Sequence, residues 1–418
     1  MPAPNSSWTR RQLLRTLPAA LLAPSFRQFT QATPVAETTP KRVAAIATVY
    51  RPNSHADVIL TKILEGWKHD GGSGPKLQLA GMYVDQFPKD DMARRMAAKH
   101  GVGIFDRISD ALTLGGGELA VDGVISIGEH GDYPHNLRRQ HLYPRYRFFS
   151  EIADTFEQHG RVAPVFNDKH LSTVWEEALA IYERAQAMKI PLMAGSSIPV
   201  SYRRPPLDIP WGSSVEAIVG VGYSGLDIYG FHALEFLQAF AERRGGAETG
   251  VEWVECLQGD AIWDAVESEF GRRLAQRDDA QMIGLLAARS GGGRVRHHTV
   301  GLPAEPARDG LVGALFMLTG YARGIGVAVQ LQDRPAPLAT YAEERSEPRY
   351  PHFACLTKGI EQLMLWGEPV YPVERTLLTG GILDRALHSK EQGGRRLETP
   401  ELAIAYQPVD YPYGVGID

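Results

Sequence analysis

From Lys41 onward, short runs of β-branched and other apolar residues alternate with stretches whose apolar positions recur every three or four residues. This alternation is the pattern of βαβ units, which bury both faces of their strands in a mainly parallel sheet flanked by helices. The first strand is predicted over 43–49. A helix beginning near His55 or Ala56 follows, with Val58, Ile59, Ile63, Leu64 and Trp67 on one face. The same reading gives strands over 77–83, 102–105, 121–127, 162–166 and 191–194, with helices over 89–100, 109–114 and 174–188 between them.

A Pro/Arg-rich passage over 199–211 marks a domain crossing, and the texture beyond it is richer in strands. Strands are predicted over 215–223, 251–258, 295–300, 311–318 and 325–331, and helices over 231–243 and 353–366. The expected fold class is α/β, with a doubly wound parallel sheet in residues 41–200. An α+β domain with a large open mixed or antiparallel sheet follows in 201–418, and an arm of residues 1–40 precedes both. The length of 418 residues suits two or three domains of ~100–200 residues.

Forty-four Lys and Arg against 49 Asp and Glu leave a formal net charge of −5, without the basic excess a nucleic-acid partner demands. The two cysteines, Cys256 and Cys355, exclude a disulfide framework and a Cys-rich metal cluster. No apolar run approaches the ~20 residues of a membrane-spanning helix. Arg10 and Arg11 stand just before the short apolar stretch 17–24, the order of a twin-arginine export signal, so the expected location is the periplasm.

In an open α/β sheet, ligands gather beyond the carboxyl ends of the strands. The loop after the first strand, Tyr50 to His55, opens a helix but contains no glycine. Arg51 and Ser54 are its candidate phosphate contacts, against the alternative that Asn53 or Ser54 caps the helix. Asp85, after the second strand, stands where an acid would bond an adenosine ribose. The segment Glu129 to Asn136 concentrates carboxylates, imidazoles and a tyrosine after a buried strand; Gln140, His141, Tyr143, Arg145 and Arg147 extend it. It reads as a proton relay or as a divalent-metal site (Zn, Mn or Fe) built on Glu129, His130, Asp132 and His170, against the alternative of a polar turn. Asp168, Lys169 and His170 follow the 162–166 strand, where a lysine flanked by acid and imidazole can move a proton or stabilise charge. Asp227 and His232 form a candidate dyad at a helix start. His297 and His298, adjacent on a predicted strand, point to opposite faces and are weak metal ligands. Arg203, Arg204 and Arg375 are cations for an anionic substrate or ordinary surface ion pairs.

Several of these segments resemble the glucose–fructose oxidoreductase/inositol dehydrogenase (Gfo/Idh/MocA) family. Asp85 followed by Ala93, Ala97 and Gly101-Val102 is similar to its second-strand acid and helix, and Val121-Asp122-Gly123-Val124 to its Asp-Ala-Val strand. The segment Pro164 to Leu171 resembles its Val-Phe-x-Glu-Lys-Pro-Leu motif with Lys169 on the lysine, and Gly230-Phe231-His232 its Gly-x-His. The resemblance implies a Rossmann domain, NAD(P) held against Arg51, Ser54, Asp85 and Glu129, and oxidation or reduction of a sugar or cyclitol. Lys169 and His232 would exchange the hydroxyl proton, with Asp168, His170 and Asp227 beside them, in a homo-oligomer. The Gly-rich fingerprint is missing, His170 replaces the motif proline, and the acid before His232 is displaced by one position. These departures leave two other readings open: a metal-dependent hydrolase or lyase, and a carbohydrate-binding protein with Tyr133, Tyr143 and Tyr146 as platforms.

Overall fold

In β1 (Lys41–Ala47), Val43, Ala45 and Ala47 enter one apolar cluster while Ala44 and Ile46 enter another, and all five are buried. Burial on both faces is what a central parallel strand requires. The computed structural model describes residues 39–259, 261–262, 300–304, 311–320 and 322–416. In it β1 is followed by α1 (His55–Glu65), β2 (Leu77–Val84), α2 (Ala93–His100), β3 (Gly103–Phe105), α3 (Ile108–Thr113) and β4 (Gly123–Ile127). Then come α4 (Arg145–Gln158), β5 (Val165–Asp168), α5 (Trp175–Met188) and β6 (Leu192–Gly195). Among the described residues these strands form one six-stranded sheet in the order β3-β2-β1-β4-β5-β6, every pair parallel. The order reverses between β1 and β4, which opens a crevice at their carboxyl ends.

The chain continues with β7 (Tyr202–Arg204), β8 (Val215–Gly222), one π-helical turn (Leu226–Gly230), α6 (Phe231–Ala241), β9 (Trp253–Val254), β10 (Leu257–Gln258) and β11 (Val300–Ala304). It ends with β12 (Val312–Met317), β13 (Gly326–Leu331), β14 (Leu338–Glu343), α7 (Pro351–Trp366), α8 (Val373–Glu391) and β15 (Leu397–Glu398). A second, mixed sheet runs β10-β11-β12-β8-β13-β14-β7, seven strands among the described residues, with β8 and β12 parallel and the other pairs antiparallel. The expected α/β class, a Rossmann-like sheet followed by a mixed sheet, is the architecture found.

One face of the first sheet is covered by α1, α2 and, from far along the chain, α7 through Phe353, Leu356, Ile360, Leu363 and Met364. The other face packs on α3, α4 and α5, and that cluster runs on into α6, α8 and the second sheet. The structure departs from the sequence reading where periodicity is blurred. The predicted 251–258 strand reduces to the two-residue β9 and β10, while α4, α8, β7 and β14 had no counterpart. In α8, Thr376, Thr379, Gly380 and Gly381 interrupt the apolar stripe, although both threonines are buried. β5 runs through Asn167 and Asp168, which were expected in a loop. Arg10, Arg11, Gly291 to Gly293, His297 and His298 lie outside the described residues. No helix among the described residues is long and apolar enough to cross a membrane.

Gly195 ends β6 at φ 137°, and its carbonyl accepts the backbone N–H of Lys169 (3.1 Å). A Cβ there would stand 2.7 Å from Glu235 Oε2 and 3.1 Å from both Thr376 Oγ1 and Tyr371 Oη, so only glycine fits. Gly195→Ala should lower the unfolding free energy by at least about 2 kcal/mol, read as a lower urea midpoint at unchanged m.

Candidate active site

Glu129 leaves β4 next to Gly128, where a Cβ would lie 2.6 Å from Arg145 Cγ; glycine lets the arginine of α4's first turn lie against the strand exit. Arg145 reaches Glu129 Oε2 through Nη2 (2.6 Å), and Lys169 Nζ donates to Glu129 Oε1 (2.9 Å). All three side chains are buried. Burial alone would raise the Glu129 pKa, but the charges of Lys169 and Arg145 overrule it and hold the carboxyl well below its ordinary range. Two cations thus share one carboxylate in a dry setting. Lys169 spends one of its three N–H donors on Glu129.

Lys169 adopts φ 65°, a left-handed conformation costing ~1–2 kcal/mol in a residue with a Cβ. The turn sends consecutive side chains to separate partners: Lys169 to Glu129, and Asp168 to His55 through a 2.6 Å bond between Oδ2 and Nδ1. Because a carboxylate only accepts, Nδ1 is the donor of this bond, and Asp168 does not engage the other ring nitrogen, Nε2. His55 opens α1 on the stripe continued by buried Ile59, which aims the imidazole at the carboxyl end of the sheet. Its ring lies 5.3 Å from that of His130, 6.5 Å from that of His232 and 4.9 Å from that of Phe353.

Neutral groups surround this pair. Burial, then the neighbouring His55, pushes the His130 pKa down to about 4; His130 sits at φ 67° and its Nδ1 is buried without a partner. Burial, then Lys169 and His55, holds His232 well below 6.5, and its Nδ1 shares a 2.5 Å hydrogen bond with Ser196 Oγ. The Ser196 N–H donates to Glu235 Oε2 (3.3 Å), a buried carboxyl whose pKa burial raises. His170 lies against Phe231 with Nε2 3.5 Å from Arg145 Nη1; burial and that guanidinium hold its pKa well below 6.5. Burial raises the Asp227 pKa, and its Oδ2 accepts the His141 N–H (3.2 Å) while Oδ1 has no partner. The site thus combines a His–Asp pair, an ammonium, neutral imidazoles and a carboxyl biased toward its acid form, equipment for moving a proton on and off an oxygen.

Several expectations need correction. The candidate dyad of Asp227 and His232 does not form, because Asp227 holds the His141 amide and His232 holds Ser196. Asp168 is a strand residue that orients His55. The proposed metal set does not assemble: Glu129 is taken by two cations, His170 faces a guanidinium, and exposed Asp132 is bound through its backbone to Gln86 (2.8 and 2.9 Å). Among the described residues no group of three or more His, Cys, Asp or Glu is arranged to hold a metal ion. Arg204 pairs with Glu343 at the surface, whereas Arg203 and Arg375 are buried. Sequence reasoning assigned no role to His55, Ser196 or Glu235. For His55 the usable signal was its place on α1's buried stripe.

The residues at the β1–α1 turn do not fit a dinucleotide pyrophosphate. Positions 47, 49 and 52, which have the Gly-x-Gly-x-x-Gly spacing, carry Ala, Val and Pro, and Val49 and Tyr50 are buried. Ser54 caps α1, accepting the N–H groups of Asp57 (3.3 Å) and Arg51 (3.2 Å). The Asn53 N–H donates to Asp57 Oδ2 (2.9 Å), which places a buried carboxylate where the helix start would otherwise attract an anion. Among the described residues the Arg51 side chain makes an exposed 3.7 Å pair with Asp90. Asp85 already accepts the hydroxyls of Tyr83 and Tyr133 (2.6 Å for the latter) and Arg147 Nη2 (2.5 Å).

No family model matches the chain, and no curated protein matches it by sequence. Solved structures do match in fold. GenD2 from gentamicin A biosynthesis, in complex with NAD, aligns with a TM-score of 0.57 at 12% identity over 88% of this chain and 99% of its own. A putative myo-inositol dehydrogenase from Sinorhizobium meliloti 1021 aligns at 0.55 and 14% identity over 86% and 99%. The myo-inositol 2-dehydrogenase from Lactobacillus plantarum aligns at 0.52 and 12% identity over 86% and 99%. The chain therefore has the fold of the Gfo/Idh/MocA oxidoreductases along most of its length.

Removing one partner of a buried ion pair costs about 3–5 kcal/mol, because the remaining charge loses its compensation. Glu129→Gln leaves Lys169 and Arg145 facing each other, so its loss in urea-unfolding free energy should lie in that range, against less than about 1 kcal/mol for exposed Glu151→Gln.

Proposed function

We propose that the chain is an oxidoreductase of the Gfo/Idh/MocA type acting on a sugar, a cyclitol or a related polyhydroxylated small molecule. The observation that carries this reading is His55, held by Asp168 at 2.6 Å, with His130, His232 and Lys169 grouped around it at the carboxyl end of the parallel sheet. Support also comes from the fold alignments with NAD-bound GenD2 and with inositol dehydrogenases.

The chain's own part in such a reaction is proton transfer. His55 Nε2 accepts the proton of a substrate hydroxyl, and Asp168 compensates the imidazolium that results. The free N–H groups of Lys169 stabilise the developing oxyanion. Neutral His130 and His232 hold neighbouring hydroxyls without adding charge. The paired arginines Arg10 and Arg11 belong to the same reading, as an export signal for the folded enzyme.

The self-capped β1–α1 turn favours a second reading, in which the same groups perform a redox-neutral proton transfer, an epimerisation or elimination beside a carbonyl. One experiment separates the two. The full chain is incubated with a panel of sugars, cyclitols and their keto derivatives in deuterated water, with and without added NAD(P). Nicotinamide reduction by absorbance supports the oxidoreductase, and deuterium uptake by NMR without nicotinamide turnover supports the second reading. In either case His55→Ala and Asp168→Asn should lower turnover by about 10²–10⁴-fold; unchanged turnover in both variants would remove the pair from the chemistry.

A further inference from the structure

Away from this site, three arginines line one cavity between the 199–211 passage, the end of α6 and the C-terminal segment. Arg375 is fully compensated, forming a two-pronged pair with Glu242 (3.0 and 2.8 Å), whose Oε1 also accepts the Tyr406 hydroxyl (2.6 Å). Arg243 reaches Asp208 (3.2 Å) and Asp410 (3.0 Å), carboxylates 67% and 65% exposed and therefore weakened by solvent, and lies over the Trp211 ring (4.7 Å). Arg203 is 6% exposed and has no carboxylate within ion-pair distance among the described residues. Its Nη1 donates to the Leu207 carbonyl (2.9 Å), Phe240 (4.4 Å) and Tyr413 (3.6 Å) stack near its guanidinium, and its Nε is buried without a partner.

Of the three guanidiniums at the cavity, one is thus paired with a buried carboxylate and one with two exposed carboxylates, and Arg203 is the one left without a carboxylate among the described residues. A buried guanidinium is retained when an opposite charge or a full set of acceptors compensates it, and Arg203 has one carbonyl and two rings. Burial, with Arg243 and Arg375 nearby, pushes the Arg203 pKa down to about 10, the direction expected where cations face each other. The space is about 20 Å³, room for one occupant of water size and too little for a sugar or a nucleotide.

We propose that the cavity lined by Arg203, Arg243 and Arg375 is a binding site for a single small inorganic anion of about chloride size. The anion supplies the counter-charge that Arg203 lacks, accepts from Arg203 and from Arg243, whose own carboxylates are exposed, and ties the C-terminal segment to the end of α6. It neither rests on nor alters the proton chemistry assigned to His55 and Lys169.

The test uses the full chain. Crystals soaked in sodium bromide are measured at the bromine absorption edge, and thermal midpoints are recorded against sodium chloride at constant ionic strength, with a bulky sulfonate as the balancing anion. The expected results are an anomalous peak in the cavity beside Arg203 and Arg243, and a midpoint that rises and saturates with chloride. In Arg203→Gln both should disappear. Should that variant fail to fold, Asp410→Asn, which removes a carboxylate competing for Arg243, should shift the chloride midpoint to lower concentration. An empty cavity in a crystal with bromide elsewhere on its surface, or a chloride response identical in the wild type and the folded variants, would overturn the proposal.

Discussion

The buried carboxylate of Glu129 holds together the parts of this molecule that matter for chemistry. It draws Arg145 from the start of α4 and Lys169 from the end of β5 onto the exit of β4, joining three loops at the reversal of strand order. A lone buried carboxylate would be protonated, and two facing buried cations would repel one another. Together they are stable. The positive φ of Lys169 follows from this arrangement, since it lets Lys169 reach Glu129 while Asp168 reaches His55.

The same molecule shows how far a scaffold and its site can separate. The six-stranded parallel sheet and the mixed sheet beyond it align with GenD2 and with a putative myo-inositol dehydrogenase over nearly the whole of those chains. The turn that a glycine-rich fingerprint keeps open is here filled by Val49 and Tyr50 and closed by Ser54 and Asp57. Tyr133 and Gln86 fasten the loop after β4 over the end of β2. What lies at the carboxyl end of the sheet is consequently a cluster of imidazoles around a His–Asp pair, and the chemistry available there comes from that cluster rather than from the fold.

Much of the architecture was legible because it is written in local periodicity. The alternation of Val43, Ala44, Ala45 and Ile46 between two faces, and the stripe of Val58, Ile59 and Ile63, each need only one segment to be read. α8 was missed because buried Thr376 and Thr379 and the adjacent glycines lower its apparent hydropathy. Within the site, Lys169 and the Glu129 loop were visible as polar groups following buried strands. The function of Glu129 was not, because a sequence presents a potential ligand without the cations that occupy it. The His55–Asp168 bond joins residues 113 positions apart, so only the fold brings them together.

The most direct test of the account is the crystal structure of the full chain soaked with myo-inositol and related polyols. The account predicts ring-shaped density at the carboxyl end of the first sheet, with one hydroxyl oxygen within about 3.2 Å of both His55 Nε2 and Lys169 Nζ. Density for the polyol at another place, or none beside His55 in crystals soaked with polyols that bind in solution, would contradict it.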